Sequence, residues 1–203
     1  EGCWPEAGVG TACLAVLLGL GLNSSLRDHR RTTLWIGCAS LTLLIALFIG
    51  YPHLNDFDQG LSALVQEHRS AWLDEAMVMV TQLGEFKKMF VASAVFTGLL
   101  LLARQWRHAI FVGATLAGSA VINTGSKLFF ARGRPEILTD PLTSFSMPSG
   151  HASGAFAFFL ALAVLAGCGQ PTRLRLTWIL LGCIPAAFIA LSRVYLGAHW
   201  PSD

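Results

Sequence analysis

Long apolar runs are the feature of this sequence that most limits what the chain can fold into. The clear runs cover 34–51, 86–103, 108–126, 152–167 and 176–194, and a weaker run covers 8–22. A helix needs about 17 to 25 such residues to cross a bilayer. Because the runs lack the alternation of barrel strands, they predict helices. We therefore expect an all-α, polytopic transmembrane helical bundle, with five or six spans in these 203 residues.

The composition favours the same class of protein. Apolar residues make up 54% of the chain and charged residues only 13%, against about 25% charged residues in an average soluble domain. A soluble core of this size is too small to bury so much apolar surface, so the lipid bilayer is the expected partner. The formal net charge of +2 excludes a nucleic-acid binder of the basic-patch kind.

Between residues 52 and 85 the apolar pattern gives way to a mixed one. Acidic residues such as Asp56 and Glu67 are interspersed with apolar residues such as Leu61 and Leu64, and the apolar spacing is helical. This pattern predicts one or two amphipathic helices that lie at the membrane interface.

The run 108–126 also carries a pattern of small residues. They are Gly113, Ala114, Ala117 and Gly118. Small residues four apart let the backbones of two membrane helices come close together. We therefore expect a neighbouring helix to pack closely against this run.

Basic residues set the expected orientation of the bundle. The segments 23–33, 104–107 and 168–175 hold seven of the fourteen lysines and arginines, and they fall on one side when the spans are counted. Positively charged loops stay in the cytoplasm, so this side is predicted to be cytoplasmic. Four other basic residues lie in tight segments at the outer helix ends: Lys127, Arg132, Arg134 and Arg193.

Three short segments meet at that outer face in this topology. They are 127–135, 148–151 and 192–203. Lys127, Arg134 and Arg193 are cations at the ends of three different helices, and they would repel one another without an anion between them. Guanidinium forks match phosphate oxygens, and lysine adds a point charge. The set therefore predicts a phosphate site.

The same segments contain the groups needed for phosphoryl transfer. Ser149 and Gly150 open a helix, where free backbone N–H groups favour an anion. Asp203 follows His199 by four residues, and we expect it to reach the imidazole ring. A carboxylate on one ring nitrogen fixes the tautomer and makes the other nitrogen more basic. This predicts His199 as a nucleophile and leaves His151 as a general acid.

Each of these residues also has a simpler structural interpretation. A basic pair at the end of a membrane helix is usually an anchor that reaches for lipid headgroups. A single interfacial histidine is usually not catalytic, and an aspartate near a histidine is commonly a cap. These interpretations explain the residues one at a time and give no reason for the shared face, so the phosphate site is the favoured hypothesis.

The three segments resemble the signature of the type 2 phosphatidic acid phosphatase superfamily, the integral-membrane lipid phosphate phosphatases. That signature is KxxxxxxRP, then PSGH, then SRxxxxxHxxxD. Residues 127–135 fit the first part, 148–151 the second and 192–203 the third, and all eleven fixed positions match in order and spacing. The helical layout extends the resemblance back to about residue 34.

The resemblance implies a metal-independent phosphatase without a cofactor. His199 would attack phosphorus to form a phosphohistidine, Asp203 would orient it, and His151 would protonate the leaving group. The implied phosphate cradle consists of Lys127, Arg134, Ser149, Gly150 and Arg193. Arg132 lies outside the signature, and we expect it to face the lipid headgroup or solvent.

The implied substrates are lipid phosphates such as undecaprenyl diphosphate or phosphatidic acid. Hydrolysis would take place at the periplasmic face of a bacterial inner membrane. One alternative is a non-catalytic membrane protein that binds or translocates lipid phosphates. A vanadium haloperoxidase-like enzyme shares this anion pocket, but those proteins are soluble, and the apolar runs argue against it.

The sequence divides into two expected regions. Residues 1–33 form an extra N-terminal span and a cytoplasmic linker, as at the end of a preceding membrane domain. Residues 34–203 form the lipid phosphate phosphatase domain, which stops before the last span of the family. We expect Asp203, as the final residue, to be poorly held, and this counts against activity of the piece alone.

Overall fold

The computed structural model describes residues 50–135 and 144–203 of the chain. Within these ranges it contains six α-helices, one short 3-10 helix (Tyr51–Leu54) and no strand. The α-helices are α1 (Asn55–Glu67), α2 (Ala71–Leu83), α3 (Phe86–Leu102), α4 (Trp106–Phe130), α5 (Gly150–Ala166) and α6 (Thr172–Tyr195). The all-α prediction is confirmed for this part of the chain.

Two of these helices are long and apolar enough to cross a membrane. They are α4 with 25 residues and α6 with 24, which corresponds to roughly 36 to 38 Å of helix. Only 17% and 11% of their apolar stretches are buried inside the protein, so most of this apolar surface faces outward. A bilayer is the solvent that suits such a surface.

The number of spans falls short of the prediction among the described residues. The helices α3 and α5 coincide with two of the predicted runs, but each has only 17 residues, or about 26 Å. The predicted runs 8–22 and 34–51 lie outside the described residues, apart from the last two positions of the second.

The mixed segment after residue 52 forms two helices, α1 and α2, as its apolar spacing predicts. The turn between them is fastened to the end of α6 through Tyr195. The Tyr195 hydroxyl donates to Asp74 Oδ1 over 2.7 Å and accepts from the backbone N–H of Ser70 over 3.3 Å. Gln66 Nε2 also donates to the Tyr195 carbonyl over 3.2 Å. These bonds fix where α6 ends.

Small residues hold α5 and α6 together. Ala155, Ala186 and Ile189 are fully buried where the two helices meet. A Cβ added to Gly182 on α6 would lie 2.9 Å from both the Phe159 carbonyl oxygen and the Ala163 Cβ on α5. This separation leaves no room for a side chain at position 182. The α6 backbone at Gly182 therefore packs directly against α5.

The expected close approach along 108–126 is not observed. Among the described residues, Gly113 and Gly118 have no neighbour within 4 Å of an added Cβ. The tight helix contact lies instead at Gly182 on α6, where α6 packs against α5. The spacing of small residues does not show which face of a helix meets a partner.

Three helix ends converge at one end of the bundle. Asn123, near the end of α4, donates to the Pro148 carbonyl over 3.4 Å and to Ser153 Oγ over 2.9 Å, which ties α4 to the start of α5. After α6, Gly197 takes a positive φ of 71° and turns the chain back toward these ends. Glycine adopts that backbone conformation without strain. The predicted convergence of the three segments is confirmed.

Substitution of Gly182 by alanine should destabilise the bundle by about 1–3 kcal/mol, because the added methyl must push α5 and α6 apart. Gly118→Ala is the matched control, since no described residue lies within 4 Å of an added Cβ at Gly118 and alanine favours a helix. Thermal unfolding of the purified protein in detergent measures both changes. An unfolding temperature of Gly182→Ala equal to that of Gly118→Ala would contradict the described packing.

Candidate functional site

His199 lies at the centre of the converging segments, and its side chain is 3% exposed. Its Nδ1 lies 3.2 Å from Asp203 Oδ2, and its Nε2 lies 3.1 Å from Arg134 Nη1. A carboxylate only accepts and a guanidinium only donates, so the two partners together select the neutral ring with the proton on Nδ1. The lone pair of Nε2 therefore points toward the cationic side of the site.

Asp203 is held by four donors. Its Oδ2 accepts from His199 Nδ1, from the Ser146 hydroxyl and from the Trp200 backbone N–H, the last over 2.9 Å. Its Oδ1 accepts from Arg132 Nη1 over 3.0 Å. The side chain is 1% exposed. The expectation that Asp203 would be poorly held is therefore wrong, because the turn 199–203 folds back onto the segment before α5.

Arg134 reaches the same place from the segment that follows α4. Its Nη1 donates to the Ala198 carbonyl over 2.6 Å as well as facing His199 Nε2. On its other side, Nε donates to the Ser144 carbonyl over 2.7 Å. Lys127, in the last turn of α4, and Arg134 both donate to the Phe145 carbonyl, which brings the two cations side by side.

Arg193 enters the site from the last turn of α6. Its Nη1 donates to Thr81 Oγ1 on α2 over 3.1 Å, while its Nε is buried and has no hydrogen-bond partner among the described residues. Its charge acts on His199 together with that of Arg134. Arg134 and Arg193 therefore lie near His199, with Lys127 beside Arg134. The three cations come from the ends of two helices, α4 and α6, and not of three as expected.

The start of α5 closes the site. Ser149 caps the helix by accepting from the Ala152 N–H, and its own backbone N–H donates to the Asp203 carbonyl over 3.2 Å. Gly150 follows as the first helical residue. A pocket between α5, α6 and the final turn is lined by Ser149, Arg193, His199, Trp200 and Asp203, and by apolar residues of α5 and α6.

His151 lies one position further along α5, beside Gly84 at the end of α2. A Cβ added to Gly84 would lie 3.4 Å from His151 Cδ2, and it would collide with Ile189 Cγ2. Glycine at position 84 is therefore what allows α2 to approach α5 and α6 so closely. Both histidines lie at the same end of the bundle, as predicted.

The surroundings shift the pKa values of the central pair. Burial lowers the pKa of His199 below 6.5, and the Arg134 guanidinium lowers it further, although the hydrogen bond to Asp203 opposes both. Burial by itself raises the pKa of Asp203, but the hydrogen bonds from His199, Ser146 and the Trp200 N–H outweigh it. The pKa of this carboxyl therefore lies below 3.8, and the folded site holds a neutral imidazole beside a carboxylate.

Arg132 does not face the headgroup or solvent as expected. Its side chain is 9% exposed, and its Nη2 donates to Asp58 Oδ2 over 2.6 Å. Its Nη1 donates to Ser202 Oγ over 2.9 Å and to Asp203 Oδ1 over 3.0 Å. The prediction is wrong because α1 places a buried carboxylate against this arginine, and no short-range pattern connects residues so far apart.

Sequence reasoning also missed three polar residues that touch the site. Ser146 lies only three positions before Ser149, so its closeness was the one available signal. Asp58 and Thr81 lie on α1 and α2, for which the sequence predicts only a position at the membrane interface. Their positions depend on how those helices pack against the ends of α4 and α6.

The arrangement suits chemistry on an anion. Guanidinium groups from two segments lie near a neutral imidazole whose Nε2 carries a lone pair, and a carboxylate holds the opposite nitrogen. The Lys127 ammonium lies beside one of these guanidinium groups. Such a site can bind a phosphoryl group and present a nitrogen nucleophile to it. Residues 50–135 and 144–203 contain no group of three or more His, Cys, Asp or Glu side chains arranged to hold a metal ion.

Comparisons with known proteins also point to a protein that acts on phosphate groups. Residues 107–203 match the family model of the PAP2 superfamily. The chain is 26% identical over 167 residues to phosphatidylglycerophosphatase B of Bacillus subtilis, covering 79% of this chain and 81% of that protein. It is 29% identical over 174 residues to the undecaprenyl-diphosphatase of Sulfolobus acidocaldarius, covering 80% and 77%.

The fold has a solved counterpart. The crystal structure of a transmembrane PAP2-type phosphatidylglycerolphosphate phosphatase from Bacillus subtilis superposes with a TM-score of 0.70 at 22% identity, covering 80% of this chain and 85% of that one. The fold and site thus define a helical protein with an anion site at one end of its bundle. Over residues 107–203 the chain is similar to the PAP2 superfamily.

The neutral state of His199 predicts how stability depends on pH. The unfolded chain takes up a proton at this ring near pH 6.5, whereas the folded ring resists protonation to a lower pH. The stability held by the neutral ring is therefore lost as the pH falls below 6.5. The contribution of Asp203 is present above pH 3.8 and is lost in more acidic solution, as the pH falls through its lowered folded-state pKa.

Unfolding temperatures measured from about pH 7.5 to about pH 5 should therefore fall, and His199→Gln should fall less steeply. His108→Gln is the control, because His108 lies at the far end of α4 and pairs there with Gln105. Equal slopes for wild type and His199→Gln would show that His199 is not held neutral in the folded protein.

Proposed function

We propose that this protein is a membrane lipid phosphatase or diphosphatase that hydrolyses the phosphate of a lipid such as undecaprenyl diphosphate or phosphatidic acid. The observation that carries the proposal is the state of His199, a neutral imidazole with Asp203 on Nδ1 and a guanidinium beside Nε2. The match of residues 107–203 to the PAP2 superfamily and the names of two relatives, a phosphatidylglycerophosphatase and an undecaprenyl-diphosphatase, support the lipid phosphate as substrate.

In the first step His199 Nε2 attacks the phosphorus atom. A bond forms between Nε2 and phosphorus, and the bond between phosphorus and the leaving oxygen breaks. The ring becomes positively charged as the phosphohistidine forms, and the Asp203 carboxylate on Nδ1–H stabilises that charge. The leaving oxygen carries away the electron pair of the broken bond and needs a proton.

His151 supplies that proton in this proposal. It lies at the start of α5, at the same end of the bundle as His199, and becomes neutral on giving its proton to the leaving oxygen. In the second step the neutral ring takes a proton from water as the water oxygen attacks phosphorus. The bond between phosphorus and Nε2 breaks, phosphate leaves, and both histidines return to their starting states.

The cradle for the phosphoryl oxygens consists of the predicted set, Lys127, Arg134, Ser149, Gly150 and Arg193. Arg134 lies beside the attacking nitrogen, and the start of α5 adds backbone N–H groups. Cations arranged before the reaction stabilise the charge that develops on the equatorial oxygens. The Nε of Arg193, which has no hydrogen-bond partner within 50–135 and 144–203, is a further donor for such an oxygen.

The active site is proposed to face the periplasm from a bacterial inner membrane. The support is the distribution of basic residues: Arg104 and Arg107 lie at the start of α4, and Arg173 and Arg175 at the start of α6. These ends are opposite to the site, and positively charged ends stay in the cytoplasm.

The direct test is phosphate release from detergent-solubilised lipid phosphates in the presence of a chelator. Wild-type protein should release phosphate, and His199→Ala should lower kcat by about 1,000-fold or more because the nucleophile is gone. His108→Ala, remote from the site, should retain wild-type turnover. Alkaline quenching with labelled substrate should leave phosphate on wild-type protein and none on His199→Ala.

Two results would contradict the proposal. Undiminished turnover in His199→Ala would remove the assignment of the nucleophile. A wild-type protein that binds these lipids tightly and leaves them intact would favour the non-catalytic alternative.

A second prediction concerns Gly84. Gly84→Ala should lower kcat by about tenfold or more, because the new methyl collides with Ile189 and displaces the α2 end from His151. Gly60→Ala on α1 is the matched control, since the space around Gly60 is open among the described residues. Phosphate release at saturating lipid measures both variants, and equal rates would show that the approach of α2 has no influence on the reaction.

A further inference from the structure

We propose that Asp58 and Arg132 are positioning residues for the reaction, which they support by fixing the Asp203 carboxylate and, through it, the His199 ring. The inference rests on the proposed function. Neither residue belongs to the three signature segments' fixed positions, and Asp58 lies on a helix that precedes all of them.

Asp58 is completely buried on α1 and is surrounded by donors from distant parts of the chain. Its Oδ2 accepts from Arg132 Nη2 over 2.6 Å and from Ser202 Oγ over 2.5 Å. Its Oδ1 accepts from the Ser202 backbone N–H over 3.0 Å. A carboxylate buried this deeply requires such partners, because its desolvation is costly. Asp58 therefore anchors both Arg132 and the residue that precedes Asp203.

Arg132 uses the two branches of its guanidinium for two carboxylates. Nη2 pairs with Asp58, and Nη1 donates to Asp203 Oδ1 over 3.0 Å. The group also lies over the Trp200 ring, with 5.5 Å between the guanidinium carbon and the ring centroid. The guanidinium is planar and rigid. The contacts of Nη2 with Asp58 and of the guanidinium face with Trp200 therefore fix the direction in which Nη1 points.

The consequence reaches the reacting nitrogen through Asp203. Because Arg132 holds Oδ1, rotation of the Asp203 carboxylate is restricted, and Oδ2 stays directed at His199 Nδ1. The ring is then held with Nε2 toward the cations. A small misplacement of a catalytic group lowers the rate strongly even when the altered residue touches no substrate.

A purely structural ion pair would need no contact with Asp203, and the chain provides such a pair for comparison. Arg69 Nε lies 3.0 Å from Asp74 Oδ1, and both residues contact Tyr195 near the end of α6. This pair also fastens the α1–α2 region to α6, and in the described part of the chain it forms no hydrogen bond or ion pair with Asp203 or His199. It is the matched control.

The test compares two double variants, Asp58→Asn/Arg132→Gln and Asp74→Asn/Arg69→Gln. Each double variant replaces one carboxylate and one guanidinium, so the net charge of the protein is unchanged. In the first, Asp203 loses its donor at Oδ1 and keeps its donors at Oδ2. For the first, we expect kcat to fall by about 10- to 100-fold with KM changed by less than about threefold. For the second, both constants should stay within about twofold of wild type.

The pH profile adds a readout that a structural role would not move. The charged and titratable groups around His199 and Asp203 come from several elements. They are Asp58 on α1, Lys127 on α4, Arg132 and Arg134 in the following segment, His151 on α5 and Arg193 on α6. Loss of the cationic donor at Oδ1 raises the pKa of Asp203. The acid limb of kcat should therefore move to higher pH in the first double variant and remain in place in the second.

Arg132→Lys is the conservative variant and covers the case in which the double variant does not fold. Lysine keeps a positive charge next to Asp58, but its ammonium is a point charge that does not match two carboxylates with a flat fork. We expect an acid limb close to that of wild type and a kcat between those of wild type and the double variant.

Three results would overturn the positioning role. The first is a wild-type kcat and pH profile in the Asp58→Asn/Arg132→Gln variant. The second is a wild-type kcat in Arg132→Lys when the double variant does not fold, and the third is a loss of kcat in the double variant that only matches its loss of folded protein, with the acid limb unmoved. A wild-type protein that turns over lipid phosphate while these variants are unaffected defeats this inference alone. A wild-type protein without turnover defeats the proposed function.

Discussion

The structure of the site depends on one carboxylate. Asp203 accepts hydrogen bonds from the segment after α4, from the segment before α5 and from its own turn after α6. A buried carboxylate that lacked these donors would be costly, so the three segments are held together by the need to satisfy it. Its fourth donor is the His199 ring, which makes the same interaction both a structural and a chemical constraint.

The helices supply the frame in which that carboxylate can be buried. At Gly182 the α6 backbone lies against the Phe159 carbonyl and Ala163 of α5, and at Gly84 the end of α2 lies against the side chains of Ile189 and His151. Neither position has room for a Cβ atom. Tyr195 then fastens the end of α6 to the α1–α2 turn. The apolar faces that remain on α4 and α6 point outward, where a bilayer suits them, so the polar groups collect at the helix ends.

Local sequence patterns predicted the helices correctly. They failed to predict contacts that depend on how the helices pack against one another. The runs 86–103, 108–126, 152–167 and 176–194 each became a helix, and the mixed segment became two helices. Gly113 and Gly118 of α4 make no tight contact with any residue that the structure describes, because the partner helix determines which face is covered. The prediction that Arg132 lies at the surface is wrong, because Arg132 pairs with Asp58. Asp58 lies on a helix more than seventy residues earlier, and no spacing rule links the two residues.

The sequence by itself determined the helical class, the segments that meet at one end of the bundle, and the chemical types gathered there. Hydrophobic length and charge distribution are properties of short stretches, and they survive without knowledge of the fold. Only the tertiary structure decided that Asp203 is firmly held, that Arg132 and Asp58 are buried against it, and that Nε2 of His199 faces the cations. Those facts depend on contacts between residues far apart in the chain, which form only when the helices have packed.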